Sequence, residues 1–304
     1  MTTPVPPPGP LAGRMALVTG GSGGIASASA ERLLRDGCSV TLTARREPEL
    51  AATAGRLRAV APEGAEVRYV AGDSCTAEGV RAAVDVATRD GGRLDICVAT
   101  VGGGKVSPLL AMDDEQFVED LRRNTVSGFL AIKYATPHIA AAGGGSIVLI
   151  STNAAKLSWP YLAGYASGKA GLEALVRVAA DELAPLGVRV NAVRPGLVKS
   201  QEDARIFRNE ELIAAYLANK PLGRIGAPRD IAEAVRYLAG PEASWTTGQS
   251  IAVDGGQELR AAPSFEKLAR ATVGDAAVDA ALAGRIPASA APSAAPPSAP
   301  PAAG

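Results

Sequence analysis

Seven short apolar runs punctuate this chain, at residues 16–18, 40–42, 67–70, 94–98, 147–150, 188–193 and 251–253, and the stretches between them carry helical periodicity. Strand–helix alternation of this kind buries both element types when the strands run parallel in one sheet and right-handed crossovers place helices on both faces. The expected fold class is α/β, a doubly wound parallel sheet of about seven strands in a single domain. Ligands of such sheets bind beyond the carboxyl ends of the strands, where the strand order reverses.

Residues 11–256 hold the whole pattern. Residues 1–10, rich in proline, read as a disordered, polyproline-like lead, and residues 257–304 as an Ala/Pro-rich, largely disordered extension. Within that extension a short amphipathic helix between residues 263 and 284 would gather Phe265, Leu268 and Val273 on one side. The charges balance, 31 basic against 31 acidic, and no basic cluster marks a nucleic-acid surface. No run of apolar residues is long enough to span a bilayer, so small molecules are the expected partners, and a cytoplasmic location is expected. Cys38, Cys75 and Cys97 have no metal-site spacing and fit free thiols in a reducing compartment.

The first apolar run leads straight into Thr19-Gly20-Gly21-Ser22-Gly23-Gly24-Ile25-Ala26, and a helical pattern follows. Strand, glycine turn and helix N-terminus together form an anion site, because unpaired N–H groups and the positive end of the helix dipole converge on it. Gly20 and Gly24 permit the tight turn and the close approach of a pyrophosphate, as in Rossmann-type dinucleotide sites. The same residues also satisfy G-x-S-x-G, the nucleophile elbow of serine hydrolases. That chemistry needs a histidine base, and the single histidine, His138, lies in a helix-end sequence with no acid in register.

Tyr165 and Lys169 stand four residues apart after the fifth run. On one helix face the ammonium would stabilise the ionised phenol, whose free pKa is about 10, and equip it for proton transfer near neutral pH. The spacing by itself equally fits a solvated surface pair.

Taken in order, five segments resemble the short-chain dehydrogenase/reductase family across residues 11–256: Thr19-Gly20-x-x-x-Gly24-Ile25-Ala26, Arg123-Asn124-Thr125, Tyr165-x-x-x-Lys169, Asn191-Ala192-Val193-Arg194-Pro195-Gly196, and a C-terminal set of Pro221-Leu222-Gly223-Arg224, Thr247-Gly248-Gln249 and Val253-Asp254-Gly255-Gly256. The resemblance implies hydride transfer between a nicotinamide and a carbonyl or secondary alcohol. Tyr165 would be the general acid/base, and Lys169 would lower its pKa and hold the nicotinamide ribose. Asn124 would hold a water that relays protons to solvent. It also implies cofactor contacts from Gly20, Ser22, Gly23, Gly24 and Ile25, from Asp73 and Ser74, from Thr100 and Gly102, and from Pro195, Gly196 and Val198, together with a homotetramer or homodimer.

Five places shape the reading further. The family's spacing back from Tyr165 lands on Thr152, with Ser151 adjacent, so Thr152 is the expected donor to the substrate oxygen and Ser151 the second candidate. Ala99-Thr100-Val101-Gly102 replaces the family's Asn-Asn-Ala-Gly. About twenty residues past the glycine turn, Arg45 and Arg46 stand where NAD enzymes carry an acid, which favours NADP(H), with NAD(H) possible, and Arg45 as first candidate for the 2′-phosphate. The aromatics of residues 158–162 suggest a small apolar or ring-bearing substrate, and residues 197–220 a lid. A 3-oxoacyl-thioester reductase is the alternative within the enzyme class, and a non-catalytic dinucleotide-binding regulator the alternative outside it.

Overall fold

Described by the computed structural model are residues 9–89, 92–200, 206–260 and 264–287; of the expected lead at 1–10 and extension at 257–304, residues 1–8, 261–263 and 288–304 lie outside them. Seven parallel strands form one sheet in the order β3-β2-β1-β4-β5-β6-β7. They are β1 Met15–Thr19, β2 Ser39–Ala44, β3 Val67–Ala71, β4 Ile96–Ala99, β5 Gly145–Ile150, β6 Val188–Pro195 and β7 Ser250–Val253. All seven coincide with the apolar runs. The order reverses between β1 and β4, whose register pairs Thr19 with Ala99, so the crevice for a ligand opens beyond those two residues.

Alternation along each strand sorts the core into two layers. Ala16, Val18, Ile96, Val98, Val148 and Ile150 face one side, packed with helices α1 (Gly24–Arg35), α2 (Glu47–Arg58) and α8 (Pro228–Ala239). Leu17, Cys97, Ile147 and Leu149 face the other, packed with α3 (Ala77–Ala87), α5 (Ser127–Ala141) and α6 (Ala163–Leu183). Helix α4 (Asp114–Leu121) runs into α5 through a π-helical turn at Arg122–Val126. Helix α7 (Glu210–Ala218) lies within residues 197–220, the segment read from the sequence as a lid.

Residues past β7 also join the body. The amphipathic segment forms a hairpin, α9 (Glu266–Val273) and α10 (Asp275–Leu282), with Phe265 and Val278 buried. Glycine at 274, with φ +89°, makes the bend that divides one expected helix into two. Among the described residues, no helix is long and apolar enough to cross a membrane, and no cluster of His, Cys, Asp or Glu could hold a metal.

A buried ion cluster fixes α1, the helix behind the glycine turn. Asp36, at its C-cap, accepts from Arg236 Nε on α8, and Arg236 also holds Glu242 through Nη1 at 2.7 Å. Burial pushes the Asp36 carboxyl up, but the hydrogen bonds and charges of Arg236 and Arg32 outweigh it and hold the pKa below the ordinary 3.8. The resulting stabilisation is present above pH 3.8 and disappears as the pH falls through the lower folded-state value. Asp36→Ala should therefore cost about 2–3 kcal/mol in urea unfolding at pH 7, because it breaks a largely buried pair, and the deficit should shrink in acid below the carboxylate range.

Candidate active site

At the crevice the glycine turn has the form expected from its residues. Gly20 takes φ +69°, and a Cβ there would strike the Thr100 hydroxyl. That hydroxyl donates to Thr19 O at 2.6 Å and the Thr100 amide reaches Thr19 Oγ1 at 3.3 Å, so Thr100 ties the end of β4 to the turn. Gly23 is the N-cap of α1; no side chain caps the helix and its first turn holds no acid. An uncapped N-terminus on a twelve-residue helix, facing a glycine turn at the switch point, fits a dinucleotide pyrophosphate. Ser22, Gly24 and Ile25 are half-buried around it.

Along the crevice, Arg45 and Arg46 follow β2 and are exposed, with Arg46 Nε 3.2 Å from Glu49. Asp73 follows β3 and accepts the Cys75 amide at 2.9 Å, and Ser74 beside it is buried. On the far side, Pro195 ends β6, and Gly196 lies where a Cβ would come within 2.7 Å of Lys220 Nζ. Val198 bridges to Gly226.

Lys169 occupies the centre. It is 2% exposed, and its Nζ donates to Ile150 O at 2.6 Å and reaches Val101 O at 3.4 Å. Burial drives its pKa down to about 7, and the charge of Glu173 one turn on opposes the shift only in part. Gly102 makes room for the ammonium: a Cβ there would sit 2.7 Å from Nζ and 2.9 Å from Asn124 Oδ1. Tyr165, one turn before Lys169 on α6, is half-buried against a third apolar cluster containing Trp159, Tyr216 and Phe265.

The two hydroxyl candidates part company at the end of β5. Strand alternation sends Ser151 toward α6, where its Oγ donates to Glu173 Oε1 at 2.7 Å in the interior. Its hydroxyl is thus engaged away from the crevice. Thr152, 9% exposed, caps a short turn by accepting the Ala154 amide at 3.3 Å, a weak contact that leaves its own proton to donate.

Asn124 is fully buried, and its amide is tied elsewhere than to water. Nδ2 donates to Gly103 O at 2.6 Å and to Asp120 O at 2.8 Å, while Oδ1 accepts from Gly103 N at 3.1 Å. The side chain holds the glycine loop after β4 in place. A relay water at Asn124 would have to use the main chain, which the π turn carries out of the regular α-helical ladder.

Sequence reading missed two buried acids. Glu173 joins Ser151 to Arg194 at 3.2 Å, and Arg194 and Lys156 both reach Glu258, at 2.9 and 3.1 Å, so one ionic chain braces the ends of β5 and β6 against α6. Asp120 is wholly buried beside Gly104 and Gly164, and burial pushes its carboxyl up, opposed by a hydrogen bond from Gln116 at 2.8 Å. A carboxylate inside a helical pattern was the only available signal for either. His138 lies in the last turn of α5, at the amino edge of the sheet where β5 begins, opposite the glycine turn. The elbow and its required base are on different edges, and the hydrolase reading ends there.

The geometry has close counterparts among known proteins. Residues 20–258 match the profile of a family described as enoyl-(acyl carrier protein) reductase. The chain is 34% identical to an A-factor type gamma-butyrolactone 1'-reductase of Streptomyces virginiae, over 82% of this chain and 96% of that one. It is also 34% identical to 3beta-hydroxysteroid dehydrogenase 1 of Eggerthella lenta, over 84% and 97% respectively. A solved short-chain type dehydrogenase/reductase from Mycobacterium ulcerans superposes with a TM-score of 0.85 at 34% identity, covering 88% of this chain and 98% of its own. With fold, switch point and site geometry all in agreement, the chain belongs to the short-chain dehydrogenase/reductase family.

Proposed function

We propose that this protein reduces a ring-bearing ketone, or oxidises the matching alcohol, with NADP(H) preferred and Tyr165 as the proton donor and acceptor. Hydride exchange between a nicotinamide and a carbonyl or secondary alcohol is the chemistry of its family; the roles of individual residues are our reading. The observation that carries it is the buried Lys169 ammonium one turn from Tyr165, with its Nζ on the carbonyl oxygens of Ile150 and Val101.

A bound dinucleotide supplies or accepts the hydride at the substrate carbon. The glycine turn and the α1 N-terminus would hold its pyrophosphate, Lys169 its nicotinamide ribose, and Arg45 its 2′-phosphate. In the reductive direction Tyr165 gives its hydroxyl proton to the carbonyl oxygen, and Thr152 donates a hydrogen bond to that oxygen as charge grows on it. The phenolate left behind is stabilised by Lys169 until a proton returns from solvent by way of a water held on the main chain near Asn124. The ring preference rests on the aromatic cluster beside Tyr165, and both relatives named above act, by their names, on cyclic molecules. Assembly as a homotetramer or homodimer is part of the same reading: Val118, Val126, Phe129 and Val178 stay exposed on α4, the π turn, α5 and α6, the long helices through which copies would pair.

Tyr165→Phe should abolish turnover and leave NADPH affinity near wild type by fluorescence titration; retained turnover would remove Tyr165 from its role. Arg45→Ala should weaken NADPH binding about tenfold or more while NADH binding moves little, in keeping with the loss of a charge-assisted contact. Equal losses would exclude the phosphate contact.

Lys169 supplies a pH test. With a pKa of about 7 it is largely neutral at pH 8 in the free protein. Binding of the anionic, reduced NADPH favours the ammonium, whereas the positive nicotinamide of NADP⁺ opposes it. Calorimetry in two buffers of different ionisation enthalpy should show more proton uptake with NADPH than with NADP⁺ at pH 8. Lys169→Met should erase the difference.

A further inference from the structure

Trp159 lies in the loop between Thr152 and Tyr165 and is 7% exposed. Its ring packs 5.4 Å from Tyr216 on the lid helix and 5.3 Å from Phe265, and the latter two meet edge-on at 6.1 Å. Phe265 falls past the family match at 20–258, at the start of the hairpin that follows β7. Lys267 pairs with Glu211 and Arg260 donates to Ala218 O at 2.6 Å, so this segment is anchored to both ends of the lid helix.

Inside this apolar cluster one polar group is stranded. Trp159 Nε1 is buried and has no hydrogen-bond acceptor among the described residues. A buried donor left unsatisfied is costly, and native structures seldom tolerate one without use. The backbone beside it is strained as well: Tyr161 takes φ +70°, the only left-handed non-glycine among the described residues, and is held there with its carbonyl accepting the Ser107 amide at 2.9 Å. Backbone strain in a bulky residue persists where the surroundings impose it, and it concentrates at ligand sites.

We propose that the indole N–H of Trp159 receives a second oxygen of the substrate, which is then a cyclic ketone or alcohol carrying a further acceptor (ether, lactone, ketone or hydroxyl) on the ring, remote from the reacting carbon. The inference rests on the reading of Tyr165 given above, because it takes the reacting oxygen to lie at Tyr165 and Thr152. Phe265 and Tyr216 pack on the indole and keep water from it, which makes an unmet donor selective: a substrate lacking the second oxygen leaves it unpaired.

The test uses two ring ketones of nearly equal shape, cyclohexanone and tetrahydropyran-4-one, which differ by one ring oxygen. Trp245→Phe removes the only other tryptophan, which is fully exposed, and leaves Trp159 as the sole indole reporter. With NADP⁺ bound, titrating this variant should change Trp159 emission with both ketones, and a silent Trp159 overturns the proposal. The ratio of the two Kd values should move about tenfold toward cyclohexanone in Trp159→Phe, followed by thermal shift, and should stay near the wild-type ratio in Trp159→His, which keeps a ring N–H. An unmoved ratio in Trp159→Phe overturns the proposal, as does a ratio in Trp159→His that follows the phenylalanine variant. Should Trp159→Phe fail to fold, the histidine variant and the emission titration still decide. Tyr165→Phe should preserve the Kd ratio while abolishing turnover, so a fault in the Tyr165 reading shows in turnover alone and a fault in the Trp159 proposal shows in the ratio alone.

Discussion

An ammonium buried on carbonyl oxygens is the constraint from which the active site follows. Lys169 donates to Ile150 O and reaches Val101 O, the two backbone segments that leave β5 and β4, so one side chain pins both strand exits to α6. Carbonyl dipoles satisfy its protons without neutralising its charge, and burial lowers its pKa to about 7. A carboxylate in direct contact would hold the proton firmly and quench the field at Tyr165. Glu173 stands one turn away with its oxygens occupied by Ser151 and Arg194, close enough to temper the desolvation and too committed to pair with the lysine.

Small residues elsewhere in the site give way to this arrangement. Gly102 has no Cβ because Lys169 and Asn124 fill that space, and the Asn124 amide then clamps Gly103 from both sides. The departure from the family's asparagines after β4 is compensated locally: Thr100 supplies the tie to β1 through its hydroxyl and amide. The same interactions that hold the loop also shape the floor on which a nicotinamide ring would rest. Stability and chemistry share residues here, and that sharing is why Asn124 reads as a relay group in sequence and as a structural clamp in three dimensions.

Around this centre stands an aromatic wall. The aromatic trio of Trp159, Tyr216 and Phe265 joins the loop before Tyr165, the lid and the hairpin after β7 into one apolar unit, with α10 lying against the turn at Leu109–Ala111 on the other bank of the crevice. Each aromatic contact is worth on the order of 1 kcal/mol, enough in sum to hold α7 against the loop before Tyr165.

The seven strands, the helices between them, the glycine turn and the Tyr165–Lys169 pair were all legible in the sequence, because each is written in local periodicity or in fixed short spacing that survives without knowledge of neighbours. Sequence alone also placed Thr152 and Ser151 side by side and left the choice open. Only the folded chain separates them, since strand alternation turns the Ser151 hydroxyl toward Glu173, twenty-two residues on, and leaves Thr152 capping the turn after β5. The same holds for the ion chain from Ser151 to Lys156, for the carboxyl of Asp120, and for the docking of Phe265 on Trp159, 106 positions earlier. Local chemistry sets which elements form and which groups can react; burial, pKa and partnership depend on what long-range packing brings near, and no window of sequence contains that.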